Sequence, residues 1–387
     1  MPALEVFLVF LKLGTTSFGG PVAHLGYFRK EFVERRRWLD EPSYAGIVGL
    51  CQFLPGPASS QVGMALGLLR AGLPGAFAAF VGFTAPSAAL MVAFAWFLGA
   101  LGDVADAPWI HGLKLAAVAV VAQAVWSMAR SLTPDLPRLA LALGAAALAL
   151  LLPSALGQIG ALLIAALAGW LALHDADEAP APALVLPVSR ALSLASLALF
   201  FVLLLGLPFA APLGHPLALA AAFYRAGALV FGGGHVVLPL LQQAVVAPGW
   251  IDNSTFLAGY GAAQAMPGPL FSFAAFLGAA MEPGWRGALL CLGAIYLPSF
   301  LLVVGALPAW NAAQRFSGMR AALKGVNAAV VGLLLAALYT PVGTSAILAV
   351  SDGVIAAAAL ALLLFARAPS WAVVILCAGA ATAVAAF

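Results

Sequence analysis

The chain has 387 residues, 64% of them hydrophobic and only 8% charged, with a formal net charge of +3. An ordinary soluble domain is nearer half apolar and a quarter charged, so composition excludes a simple water-soluble globule and calls for a lipid-facing surface. The basic residues gather near segment ends, with no basic stripe, finger spacing or recognition helix, which argues against nucleic-acid binding.

Mostly apolar segments run near 4–26, 44–70, 73–100, 110–130, 136–152 and 156–173. The polar stretch HDADEAPAP follows at 174–182. Further apolar segments lie near 188–210, 216–240, 256–281, 285–308, 320–340, 346–366 and 370–387. The runs lack period-2 alternation, so an all-α, polytopic membrane protein with about 13 hydrophobic segments is expected rather than a β-barrel. The expected division is an N-terminal repeat at 1–173, a linker with a connecting apolar segment at 174–215, and a C-terminal repeat at 216–387. The opening MPALEVFLVF has no basic leader or small-residue cleavage site and reads as a retained segment.

Four segments are interrupted. FGGP stands at 18–21, PGP at 55–57, FGGGH at 231–235 and PGP at 267–269. Proline removes a backbone donor and glycine permits a turn. Non-helical backbone at membrane depth survives only against protein or a water-filled cavity, so these are candidate discontinuous or re-entrant helices.

The interruptions are duplicated. At an offset of 213 residues, Phe10, Lys12, Gly14, Phe18, Gly19 and Gly20 match Phe223, Arg225, Gly227, Phe231, Gly232 and Gly233. At 212, Trp38 and Asp40 match Trp250 and Asp252, and Gln52, Pro55, Gly56 and Pro57 match Gln264, Pro267, Gly268 and Pro269. The same register carries Gly75, Pro86 and Ser87 onto Gly287, Pro298 and Ser299. Repeated halves with broken helices mark secondary transporters, whose sites lie where the halves meet. The first loop is rich in Arg and Lys, whereas its counterpart around 242–255 has neither and carries Asp252. The loop near 101–108 has Asp103 and Asp106, while its counterpart has Arg315, Arg320 and Lys324. By the positive-inside rule this reversal predicts inverted repeats. Whether the PGP segments cross or enter and return on one side is open at this level.

Lys12 and Arg225 are the leading candidates for contact with an anion. Each lies inside an apolar segment at the same distance before an FGG break, where a cation is costly unless paired, hydrated or snorkelling. Glu5 is the nearest acid in sequence to Lys12. Gly19, Gly20, Gly232, Gly233 and Gly234 can expose backbone N–H groups, and a helix starting beyond each break would offer its positive end. The bland alternative is close packing of small residues. Gln52, Ser59, Ser60, Gln264 and Ser272 are candidate donors beside the PGP turns, or local partners of freed carbonyls. Asn327 is a candidate lining residue opposite Lys114. His24 and His235 are candidates for proton coupling. Cys51, Cys291 and Cys377 are too scattered for a metal knuckle or disulfide framework, and no metal or cofactor is expected. No G-x-x-x-x-G-K-[ST] loop is present, which argues against direct nucleotide-driven pumping.

FLKLGTTSFGGP at 10–21, RKEFVERRRWLDEPSY at 29–44 and QFLPGP at 52–57 resemble the chromate transporter family. FYRAGALVFGGGHVVLPLLQ at 223–242, WIDNSTF at 250–256 and QAMPGP at 264–269 repeat the likeness. GFTAPS at 82–87, AIYLPS at 294–299 and ALKGVNAAVVGLL at 322–334 extend it. The resemblance implies a multi-pass exporter of chromate in the bacterial inner membrane, with sulfate as a related substrate and the two halves oppositely oriented. It carries the motif role onto Gly19, Gly20, Pro21, Gln52, Pro55, Gly56 and Pro57, and onto their second-half counterparts. The expected partners are an oxyanion and membrane lipids, not nucleic acid; self-association into a homo-oligomer is left open. The alternatives are a sulfate or other oxyanion permease and, in another class, a non-transporting membrane scaffold.

Overall fold

In lipid every backbone N–H and C=O must be satisfied within the protein, which leaves helices as the natural outcome for long, non-alternating apolar runs. The computed structural model describes residues 2–101, 107–173, 188–231, 234–282, 284–313 and 317–386, and every regular element among them is helical. Five of these helices have the length and apolarity of a membrane span: Ala58–Leu101, Pro108–Leu132, Arg190–Leu213, Trp285–Ala306 and Gly318–Ala346. Six shorter apolar helices accompany them. The protein is therefore polytopic. Among the described residues several of the thirteen apolar segments are split, as their Gly and Pro interruptions suggest, and only five helices have full bilayer length. The sequence 174–182, with Gly232 and Gly233, lies outside the described residues.

The first half begins with α1 (Pro2–Thr16) and α2 (Gly20–Phe28), the latter running into a π-helical stretch at Arg29–Arg35. Next come α3 (Glu41–Phe53) and α4 (Ala58–Leu101). Asp40 caps α3 by accepting a hydrogen bond from the Ser43 N–H at 3.0 Å. The helix α4 reverses at Ala71 (φ −147°) and Gly72 (φ 64°). Beyond that reversal the backbone of Gly75 packs against that of Gly67. A straight helix would hold residues eight apart about 12 Å from one another. The stretch 58–70 is thus an arm folded back on the long stretch 73–101.

Ion pairs fix where these arms are rooted. Glu5 meets Arg36 at 3.4 Å and Arg70 at 3.1 Å. Arg70 also lies over the Trp38 ring at 5.1 Å, and Arg29 meets Glu41 at 2.8 Å. One charged face therefore holds the start of α1, the end of the π-helical stretch, the start of α3 and the end of the 58–70 arm. The breaks at 17–19 and 54–57 lie at the far ends of arms of 15 and 13 residues, about 20 Å inward. Both segments therefore double back as helical hairpins whose ends share that charged face. Glu5 serves this collar and not Lys12, its sequence neighbour.

Within the collar, burial works against the charge of Glu31. The Arg36 and Arg35 guanidiniums outweigh it and hold the carboxyl below the ordinary carboxylate range.

From the far end of α4 the chain continues through α5 (Pro108–Leu132), α6 (Leu136–Leu151), α7 (Ala155–Ala172) and α8 (Arg190–Ala210). The second half repeats the hairpins. It has α9 (His215–Ala228), the short turn Gly234–Val236, α10 (Val237–Leu241) and a π-helical stretch at Gln242–Val246. It continues with α11 (Asn253–Ala265), capped by Asp252, then α12 (Phe273–Met281) and α13 (Trp285–Ala313). His215 packs on the Trp250 ring at 5.1 Å and meets Glu282 at 3.6 Å. That trio roots the second pair of hairpins as Glu5, Trp38 and Arg70 root the first. Gly278 packs on Gly287 as Gly67 packs on Gly75. The chain ends with α14 (Ser317–Ala337), α15 (Thr344–Ala346), α16 (Val350–Leu364) and α17 (Ser370–Ala385).

The halves exchange their outer helices. α5 packs on α16 and α17, while its counterpart α14 packs on α6 and α7. Small residues make this possible. Gly112 of α5 abuts the Cys377 carbonyl of α17, and the matched Gly325 of α14 abuts the Ala165 carbonyl of α7. Such backbone approach supplies van der Waals contact where lipid removes the hydrophobic drive between helices.

Candidate functional site

The four hairpin tips meet at the centre of the molecule. Gly56, in the first PGP turn, donates its N–H to the Val230 carbonyl at 2.6 Å. Gly268, in the second PGP turn, donates to the Ser17 carbonyl at 2.9 Å. Residues 17 and 230 match at an offset of 213 and residues 56 and 268 at 212, so the two bonds are one contact made twice. Each PGP turn thereby caps the broken helix of the opposite half. Both glycines have φ values closed to most side chains, +126° at Gly56 and +91° at Gly268.

The walls repeat the pattern. A Cβ at Gly56 would strike the Ser299 hydroxyl, and one at Gly268 would lie 3.0 Å from the Ser87 hydroxyl. Gly14 packs against the Phe83 carbonyl and its counterpart Gly227 against the Ile295 carbonyl. The Pro-Ser motifs of α4 and α13 thus stand directly behind the opposite half's PGP turns.

Polar groups concentrate at these tips without protein partners. The hydroxyls of Ser17, Ser60, Thr84, Tyr296 and Ser299, with the Gln264 amide nitrogen and one acceptor, the Gln61 amide oxygen, are buried and make no hydrogen bond within the protein. Tyr296 lies beside Ser60 and Thr84, though not in hydrogen-bonding geometry. A buried donor left unmade costs about 1–3 kcal/mol. A cluster of them at one place is suited to an acceptor-rich ligand. The second arms α2, α4 and α12 begin at or just after the tips and direct their positive ends there. The first arms end at the tips with their carbonyls. The Ser17 and Val230 carbonyls are turned to the glycine N–H groups instead.

His24 joins this assembly from α2. Its Nε2 lies 3.3 Å from the Ser17 carbonyl and its Nδ1 lies 3.3 Å from the Ser59 hydroxyl. A carbonyl only accepts, so Nε2 carries the proton, and in the neutral ring Nδ1 accepts from Ser59. His235 is elsewhere, with Nδ1 at 2.9 Å from the Tyr260 hydroxyl.

The expected residues therefore separate. The tips bring together Gly56, Ser59, Ser60, Gly268 and His24, flanked by Pro55, Pro57, Pro267 and Pro269. Ser272 is buried close behind the second turn. Gly19 (φ +99°) and Gly20 (φ +76°) form the first break, and Gly234 opens the short turn after the second. Gln52 faces outward, whereas the nitrogen of its counterpart Gln264 is buried. Lys12 is exposed. Arg225 is half-buried in a cleft. Asn327 is half-buried on α14. Its counterpart Lys114 is buried on α5 and donates to the Ser254 hydroxyl at 3.1 Å.

Ser17, Thr84 and Tyr296 were not expected from the sequence as site residues, and Ser87 and Ser299 only as repeat markers. The signal lay in the duplicated GFTAPS and AIYLPS motifs. Thr84 and Tyr296 are matched positions, both polar on otherwise apolar helices.

Comparison with known proteins bears on the whole chain. The family model described as Chromate transporter matches residues 4–170 and 217–383. A chromate transport protein of Pseudomonas aeruginosa is 28% identical over 335 residues, covering 85% of this chain and 79% of that protein. A probable chromate transport protein of Synechococcus elongatus is 26% identical, covering 85% and 82%. A chromate transport protein of Cupriavidus metallidurans is 26% identical, covering 86% and 81%. No solved structure gives a significant match.

Proposed function

The chain belongs to the chromate transporter family, and from that premise we propose that it exports a tetrahedral dianion, chromate in the first instance, through the seam where the hairpin tips cross. Its compartment is the bacterial inner membrane. The observation that carries the reading is the reciprocal pair of bonds, Gly56 N–H to Val230 and Gly268 N–H to Ser17, ringed by unpartnered hydroxyls. Chromate and sulfate only accept hydrogen bonds when fully ionised. Hydroxyl and amide donors replace part of their hydration, and the helix N-termini supply positive potential without a fixed cation. A site of neutral donors releases a dianion more readily than a salt bridge would. Sulfate fits the same donor set, so it competes with chromate.

The two repeats, 1–173 and 216–387 about the linker 174–215, are inverted in this account. The hairpins of each half do not cross. The stretch 73–101 of α4 crosses, as do α5, α6, α7, α8, α13, α14, α16 and α17. That is nine crossings and four hairpins, which together use the thirteen apolar segments of the sequence. The Glu5 face then gathers Arg29, Lys30, Arg35, Arg36, Arg37, Arg70, Arg130, Arg138, Arg320 and Lys324, and is cytoplasmic. Lys324 acts on Asp135, at the start of α6, in keeping with that assignment. The opposite face carries Arg286 with Asp252, Glu282 and Asp352.

Transport is by alternating access. Each PGP turn is held by one backbone bond to the other half, so rocking one half on the other opens the seam to either side. At an inside-negative potential of ~100 mV, expelling a dianion gains about 4–5 kcal/mol. His24 is a titratable group at the seam: protonating its Nδ1 would make the ring a donor on both sides and oblige the Ser59 hydroxyl to accept instead of donate, which offers a route to proton coupling.

Single cysteines at the exposed positions Arg37 and Asp252 test the orientation, since the three native cysteines are buried. A membrane-impermeant maleimide should reach them from opposite sides. Labelling of both from one side refutes the inverted arrangement.

A further inference from the structure

Arg225 lies away from the seam hydroxyls. It sits ten residues past the start of α9, about 15 Å from the His215 face and short of the tip at Val230. It lines a small, partly open cleft with Gln158 of α7, Gln243 of the π-helical stretch, and the apolar Ile159, Leu229 and Leu240. No carboxylate lines this cleft. Among the described residues no acid pairs with Arg225. A guanidinium at membrane depth without a carboxylate is costly, and it stands here between two neutral amides that can each donate.

The repeat makes the arrangement one-sided. Lys12 is the counterpart of Arg225 but is exposed, and it lines neither the Arg225 cleft nor the two clefts beside Trp38. At the 213 register, Gln158 and Gln243 correspond to Trp371 and Lys30. The second half therefore holds a cation-plus-amide cleft that the first half does not reproduce.

We propose that Arg225, Gln158 and Gln243 form a distinct subsite for a tetrahedral oxyanion between the seam and the His215 face, occupied as substrate passes to or from that face. This rests on the transport reading and adds an asymmetry to it. The planar guanidinium fork engages two oxygens of one face of the tetrahedron, and the amides engage the others. Seam binding is indifferent to direction, whereas this subsite sets affinity at one face.

The test is chromate–chromate exchange in oriented membrane vesicles, with the half-saturating concentration measured separately at each face. Arg225→Gln should raise that concentration about tenfold or more at the His215 face and less than twofold at the Glu5 face. Arg225→Lys should restore it to within about threefold. Gln158→Leu should give a smaller shift of the same sidedness and guards against an Arg225 variant that folds poorly. Equal shifts at both faces, or none in folded variants, overturn the subsite while leaving transport through the seam intact. Wild-type vesicles with no exchange overturn the transport reading itself and the subsite with it. A phosphate headgroup could occupy the same donors. Variants that lose only stabilisation by added anionic lipid, with unchanged exchange, identify a lipid site and overturn the proposal.

Discussion

Adding one methyl group at Gly56 tests the seam in detail. The Gly56→Ala side chain would meet two obstacles at once. The backbone sits at φ +126°, a conformation costing an L-residue about 1–3 kcal/mol. Its Cβ would also strike the Ser299 hydroxyl and lie 2.6 Å from the Gln61 amide nitrogen. Overpacking of that kind adds about 1–3 kcal/mol. The sum is about 2–6 kcal/mol, a large share of ordinary stability. Gly268→Ala carries similar backbone strain at φ +91° but looser contacts, 3.0 Å to Ser87 and 3.2 Å to the Gly14 and Phe83 carbonyls, so it should cost less. Thermal unfolding in detergent, read beside chromate flux in proteoliposomes, should rank the variants wild type, Gly268→Ala, Gly56→Ala. Ser299→Ala removes the hydroxyl clash without touching φ or the Gln61 contact, so Gly56→Ala/Ser299→Ala should recover part of the steric cost and none of the strain. A Gly56→Ala protein with native unfolding and native flux would refute the packing of the PGP turn against the opposite half.

The bases at Lys12 and Arg225, matched in sequence, should respond unequally: at sub-saturating chromate presented to the His215 face, Arg225→Ala should cut flux about tenfold or more, and Lys12→Ala less than about threefold. His24→Gln keeps a donor and an acceptor at the Ser17 and Ser59 contacts, so it should retain flux in proteoliposomes, whereas His24→Leu removes both contacts and should lose most of it. Glu5→Gln removes two half-exposed ion pairs worth about 0–1 kcal/mol each and should lower stability by about 1 kcal/mol, more at low salt than at high. Glu31 has its folded pKa held below the unfolded value. Its contribution is therefore present above the ordinary carboxylate pKa of about 4.3 and is lost as pH falls through the lower folded value. Acid unfolding of Glu31→Gln should accordingly be less pH-dependent in that window than wild type.

The duplicated registers made much of the architecture readable, because matched residues occupy matched environments. Gly14 and Gly227 each meet a carbonyl of a long crossing helix, and Gly56 and Gly268 each bind a break in the other half. What the registers did not carry is partner choice. A repeat pairs Gly56 with Gly268, yet nothing in it says that Gly56 bonds Val230 and not Ser17. Whether the interrupted segments cross or turn back stays open in the sequence for a related reason. Apolar periodicity is the same for a crossing helix and for one arm of a hairpin, and the deciding ion pairs from Glu5 to Arg36 and Arg70 join residues 31 and 65 apart. Lys12 and Arg225 drew attention by charge, whereas the donors at the seam are neutral hydroxyls. Thr84 and Tyr296 show the lesson most clearly. They match in register but differ in type, so a search for identical residues passes over them although both reach the seam.

Counterflow distinguishes transport through the crossed hairpin tips from passive leak. Proteoliposomes loaded with unlabelled chromate and diluted into labelled chromate should accumulate label transiently above equilibrium. External sulfate should suppress the overshoot, and Gly56→Ala should abolish it at normal protein insertion. An overshoot unaffected by altering Gly56 and Gly268, or no counterflow of chromate or sulfate by the wild-type protein, would contradict transport through the crossed hairpin tips.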